Sequence, residues 1–187
     1  MAITATGLSG SSVEYYARIS AEKDTIKNQA SGLESAANNV KARLDIFSPS
    51  GLFAYLYDNN KSSTAFRDFS LNAVRGLVKS YNELNEKSVT ADRLSDEGKK
   101  LLDKVRALLE GPAAGMFRDI GLELNDATRA ITFDERRFAD KLAAQPQEVK
   151  RLLLDKNSLG AVLQHVIDNM LAKPALSYFN SSFILNA

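Results

Sequence analysis

The sequence predicts a mainly α protein, an elongated helical bundle or coiled coil with one small β-hairpin near residues 120–133. Three observations predict it. Apolar residues recur at alternating spacings of three and four from Tyr16 to Phe47, further helical faces recur between Phe66 and Met170, and the period drops to two between Leu122 and Phe133. The chain has 187 residues, 44% hydrophobic and 25% charged. A chain of that length buries roughly 70% of the surface its unfolded form exposes, so it needs no metal or disulfide to hold a core.

Residues 1–12, MAITATGLSGSS, are small and polar and predict a flexible tail. A long heptad helix is expected over 13–48. Tyr16, Ile19, Ile26, Ala30, Leu33, Ala37, Val40, Leu44 and Phe47 form its seam, interrupted by Lys23, and acids and bases balance on its other faces. Such a seam pairs with a second chain or packs inside its own domain. In the first case Tyr16, Ile19, Ile26, Leu33, Val40 and Leu44 are the self-association residues. Ser48-Pro49-Ser50-Gly51 ends the helix.

Residues 49–60 read as an aromatic linker whose Leu52–Tyr57 run forms a short helix, with a strand as the second choice; Phe53, Tyr55 and Tyr57 are candidates for an exposed partner patch. Residues 61–173 read as a helical core carrying the hairpin. Its first helix runs from about Thr64 to Lys87 with Phe66, Phe69, Ala73, Leu77, Tyr81 and Leu84 on one face. Another starts at the N-cap Ser95 and continues through Leu109 to Gly111-Pro112. Leu122 and Leu124, then Ile131 and Phe133, alternate around the turn residues Asn125–Thr128. Asp134 caps the next helix, Pro146 opens another, and a last amphipathic helix follows Asn157-Ser158 and ends before Pro174. Phe133, Phe138, Leu142, Val149 and Leu152 are expected to be buried together. Residues 174–187 are expected to form a C-terminal tail.

Several function classes find no footing. The net charge is +1 and the basic pairs Lys99-Lys100 and Arg136-Arg137 have acids beside them, so no nucleic acid is expected as partner. No stretch approaches 18 apolar residues and no basic segment precedes an apolar one at the N-terminus, so neither membrane insertion nor a cleaved secretion signal is expected. Absent cysteine removes thiolate and Cys-metal chemistry. The single histidine, His165, has no second histidine for a metal, and the neighbouring acids at 96–97 and 134–135 suit helix N-termini. No phosphate loop or dinucleotide fingerprint is present. No catalytic residue, cofactor or metal is therefore expected; a hydrolase with acids brought together by folding is the remaining enzymatic reading.

Two stretches resemble the flagellar filament-capping protein, or hook-associated protein 2, family. Phe69–Asn85, FSLNAVRGLVKSYNELN, resembles its V-x-x-Y-N-x-L helix. Phe117–Leu153 resembles its I-G-I strand, turn, L-x-F-D and P-x-x-V-x-x-L-F run, here Ile120-Gly121-Leu122, Ile131-Thr132-Phe133-Asp134, then Phe138 and Leu142, and Pro146, Val149, Leu152 and Leu153. The resemblance covers about Phe66 to Asp155. Family members carry β-rich head domains and a long C-terminal coiled coil; this chain has no room for a head between Asp58 and Ser95, and its heptad helix stands at the other end.

The resemblance implies a non-enzymatic structural and assembly protein, oligomeric, in contact with itself, flagellin or another axial protein. It implies export without a cleaved signal to an extracellular, flagellum-associated location. The alternative is a cytoplasmic adaptor or chaperone-like regulator of flagellar export.

Overall fold

The computed structural model describes residues 9–180 apart from residue 92, with side chains from residue 14 onwards. Helix α1 spans Ser9–Leu44 and closes in a single 3₁₀ turn, Asp45–Phe47. It is followed by α2 (Leu52–Asn60), α3 (Thr64–Thr90), α4 (Asp96–Lys99), α5 (Asp103–Glu110) and α6 (Ala114–Asp119). Strands β1 (Leu122–Leu124) and β2 (Ile131–Phe133) come next, then α7 (Glu135–Ala144), α8 (Pro146–Leu154), α9 (Leu159–Leu171) and a 3₁₀ turn, Ala175–Tyr178. The fold is mainly α, with long helices and one two-stranded antiparallel hairpin.

Helices α1 and α3 lie side by side in opposite directions: Gly32 of α1 faces Lys87 and Arg43 faces Gly76. Between them runs the heptad stripe. Ile26, Ala30, Leu33, Ala37, Val40 and Leu44 are buried, against Ala73, Val74, Leu77, Tyr81 and Leu84 in one continuous core with α9. The small Ala30 and Ala37 allow close helix approach. Thus the stripe from Ile26 onward is consumed within the chain, and Ile26, Leu33, Val40 and Leu44 are not a self-association surface. The heptad spacing reports that a helix packs against others, not which chain the others belong to.

At the far end of this pair, Phe47, Phe53, Phe66 and Tyr57 stack in sequence with ring centroids 5.4–6.0 Å apart. Lys150 of α8 closes the cluster, its ammonium 4.4 Å from the Tyr57 ring centroid and 2.9 Å from Asp58. The Leu52–Tyr57 run is therefore helical, and Phe53 and Tyr57 are core. Of the expected aromatic patch, only Tyr55 faces out, 62% exposed beside Leu52.

The hairpin is held by its surroundings. Leu122 pairs with Phe133 and Leu124 with Ile131. In the turn, the Asn125 carboxamide oxygen accepts from the backbone N–H groups of Ala127 and Thr128 at 3.0 and 2.9 Å. Gly121 sits at φ +77, and a Cβ there would collide with the Asp134 carbonyl. Asp134 also caps α7 by accepting from the Arg137 backbone N–H. Phe138, Leu142, Val149 and Leu152 are buried as a group, while Phe133 is only partly buried, because it lies at the sheet end with its ring against Phe138.

Three boundaries differ from the sequence expectation. Helix α1 begins at Ser9, inside the stretch expected to be a tail, because extending an established helix costs little once a long partnered segment has nucleated it. Residues 1–8 lie outside the described residues. The expected helix from Ser95 to Leu109 breaks at Lys100–Leu102: Ser95 caps α4 as expected, Gly98 packs against the Tyr178 carbonyl, and α5 turns to face α9. Residues 174–180, read as tail, are docked. Ala175, Tyr178 and Phe179 are buried, Phe179 bridges to Leu94, and the Ser95 N–H donates to Tyr178 O at 2.8 Å. Three apolar side chains over five residues are enough to hold so short a segment against α1, although they show no regular period.

Candidate interaction surface

In one surface hollow, Arg75, Asn82 and Glu135 are already engaged with one another's elements. The hollow between α3 and β2, about 410 Å³, is lined by Arg75, Val78, Asn82, Phe133 and Glu135. Arg75 donates twice to the Glu135 carboxylate, at 2.6 and 2.7 Å, and once to Asn72. The Arg75 guanidinium holds the Glu135 carboxyl below its ordinary pKa. Asn82 spans both backbone groups of Ile131: its Nδ2 donates to Ile131 O at 2.9 Å and its Oδ1 accepts from Ile131 N at 2.7 Å. These groups fasten α7 and the outer edge of β2 to α3. Asn85, buried, does the same for the turn by donating to Thr128 O.

His165 is exposed on α9, with Lys104 Nζ 2.9 Å and Asn169 Nδ2 3.0 Å from its Nε2. Among the described residues no group of three or more His, Asp or Glu side chains could hold a metal ion. Lys41 of α1 pairs with Asp168 of α9 at 3.1 Å. The Gln164 amide, and then Lys41, lower the Asp168 pKa.

What the structure leaves open is apolar surface at the start of α1. Among the described residues, the first core residue of that helix is Ile26, and the ion pair nearest its start is Glu22 with Arg93 at 3.5 Å. Beyond it the helix projects: from Glu22 to Ser9 is about 20 Å at 1.5 Å per residue. Tyr15 and Tyr16 stand 62% and 70% exposed, their rings edge to face at 5.9 Å, and Ile19 is partly exposed below them. Of the six residues expected to mediate self-association, Tyr16 and Ile19 are thus free to do so, and Tyr15 joins them. Leu52 and Tyr55 on α2 form a second, smaller exposed pair, one helical turn apart. Among the described residues no helix is long and apolar enough to cross a membrane.

Periodicity found the stripe but not where it leaves the body, since that depends on α3 ending at Thr90, opposite the middle of α1, just beyond the Gly32–Lys87 contact. Comparison with known proteins returns no match to a protein-family model, a curated protein or a solved structure.

Proposed function

We propose that this chain is a non-enzymatic flagellar assembly protein, a cap-like helical module that contacts a second copy of itself, flagellin or another axial protein through the projecting start of α1. One observation carries the proposal. The two stretches that resemble the filament-capping family are about thirty residues apart, yet they pack as one unit. In the first, Tyr81 and Leu84 are core and Asn82 clamps Ile131 of the second. In the second, Gly121 and Asp134 meet each other through the Asp134 N–H to Gly121 O bond at 2.8 Å. Asn82 thus ties the first stretch to the second, and the Gly121–Asp134 bond closes the second on itself, as expected if the motifs belong to one inherited module rather than to two chance matches.

The exposed Tyr15, Tyr16 and Ile19 supply the contact such a role needs, since exposed aromatic clusters are favoured at protein interfaces. The location proposed is extracellular and flagellum-associated, reached without a cleaved signal.

A second reading is favoured by the same α1. Because its seam is satisfied within the chain from Ile26 to Leu44, the module is complete without a partner. That suits a cytoplasmic adaptor that offers the helix end to an export substrate. Immunogold labelling of whole cells and sheared filaments separates the two. Label on filaments or their tips supports the axial reading, and label confined to the cell interior supports the adaptor.

A further inference from the structure

We propose that the projecting start of α1, with Tyr15, Tyr16 and Ile19 as its knob, seats in a second copy's groove between α5–α6 and the end of α8. The inference rests on the reading that this helix end is a contact element, and it names what that element contacts. Among the described residues two apolar features of opposite shape stay open. One is the knob: Tyr15 and Tyr16 are exposed, and Ile19 lies between them one turn on. The other is a groove of about 660 Å³, where Leu108 of α5, Met116 of α6 and Leu154 of α8 are incompletely covered and Met116 is 38% exposed. Tyr16 is 70% exposed, so the knob does not fill the groove of its own chain.

Charge favours a second copy as the occupant. Arg151, Asp155 and Lys156 line the groove. Among the described residues none of the three has an ion pair, and the Arg151 guanidinium meets only the Met116 sulfur, at 4.0 Å. The knob carries the complementary set. Glu14 and Arg18, one turn apart on the Tyr15 side of α1, are exposed and likewise have no ion pair among the described residues. A knob seated between Leu108 and Leu154 brings Glu14 toward Arg151 and Lys156, and Arg18 toward Asp155. Because Arg151 touches Met116, pairing Glu14 with Arg151 sets the adjacent Tyr15 on Met116, a sulfur–aromatic contact that thioethers favour. Knob and groove belong to different parts of the chain, so the contact is heterologous, and the second copy's own knob stays free for a third. Two tyrosines bury about 300–500 Å², less than the ~800 Å² that a stable complex buries per partner. The contact is therefore weak alone and forms where copies are concentrated.

The absence of cysteine permits a directed test. Full-length chain carrying Tyr15→Cys is mixed with full-length chain carrying Met116→Cys and oxidised, beside a control in which Val89→Cys replaces Met116→Cys. Val89, 56% exposed on α3, is more open to random collision than Met116. Docking predicts a mixed disulfide dimer that forms at least about tenfold faster with Met116→Cys than with Val89→Cys, read on a non-reducing gel. Adding Arg151→Glu and Lys156→Glu to the Met116→Cys chain should remove that excess, and adding Glu14→Arg to the Tyr15→Cys chain should then restore it. Should Tyr15→Cys disturb the helix, Tyr16→Cys replaces it with the same expectation. Equal rates with both partners, an excess insensitive to the charge reversal, or a predominance of Tyr15→Cys chains joined to each other overturns the proposal. Each of these leaves the flagellar reading standing, since that is decided by where the protein is found in the cell and not by a cross-link.

Discussion

Tyr81 shows how much a single buried group can reveal. Its ring, carried by α3, is fully buried, its hydroxyl has no hydrogen-bond partner, and burial pushes its pKa up to about 12 against the pull of the nearby Arg106. The folded state therefore holds the phenolic proton more tightly than the unfolded chain, whose tyrosine titrates near 10. That stability is fully present below pH 10 and is lost as pH rises toward 12, by roughly 2–3 kcal/mol. Tyr81→Phe should be neutral or slightly stabilising at pH 7, because no bond is lost and an unpaired hydroxyl leaves the core. The stability gap in favour of Phe should widen between pH 10 and 12 in denaturant titrations; a constant gap would show that the hydroxyl reaches water. Asn82 is the opposite case. Asn82→Ala strands the Ile131 N–H and C=O together, and about 2–4 kcal/mol should be lost in the same titration. A loss below about 0.5 kcal/mol would mean that water replaces the clamp.

At the scale of the element, α1 divides into two halves with different duties. Leu33→Ala removes a fully buried side chain from the seam and should cost about 2–5 kcal/mol in thermal unfolding without altering particle size. Tyr16→Asp alters only projecting surface, should change stability by no more than about 0.5 kcal/mol, and should weaken any self-association seen by light scattering. If Leu33→Ala instead dissociates an oligomer while leaving the fold intact, the seam lies between chains. Sequence alone read the helices and their ends well wherever the signal was local: Ser95 and Asp134 cap, Pro146 opens α8, Gly111 follows α5, and α9 follows Asn157-Ser158. It could not read what depends on distant partners. The break at Lys100–Leu102, the docking of Ala175–Phe179 and the burial of Phe53 and Tyr57 are set by neighbours more than forty residues away or by the fit of one aromatic ring on another. The short α6, in Ala114–Asp119, has too few apolar residues to announce itself.

Over the whole molecule, the core is continuous from α1 to the C-terminal 3₁₀ turn, while Tyr15 and Tyr16 at the start of α1 stand exposed outside it. The candidate surface was half legible in sequence: Tyr16 and Ile19 belong to the stripe that periodicity identifies, but their exposure follows from α1 outrunning the body. Fractionation of a motile strain tests the axial role most directly. Full-length protein should be found in the extracellular or filament-associated fraction and should disappear from it when the flagellar export ATPase is deleted. Protein confined to the cytoplasm of cells that secrete flagellin normally would contradict it.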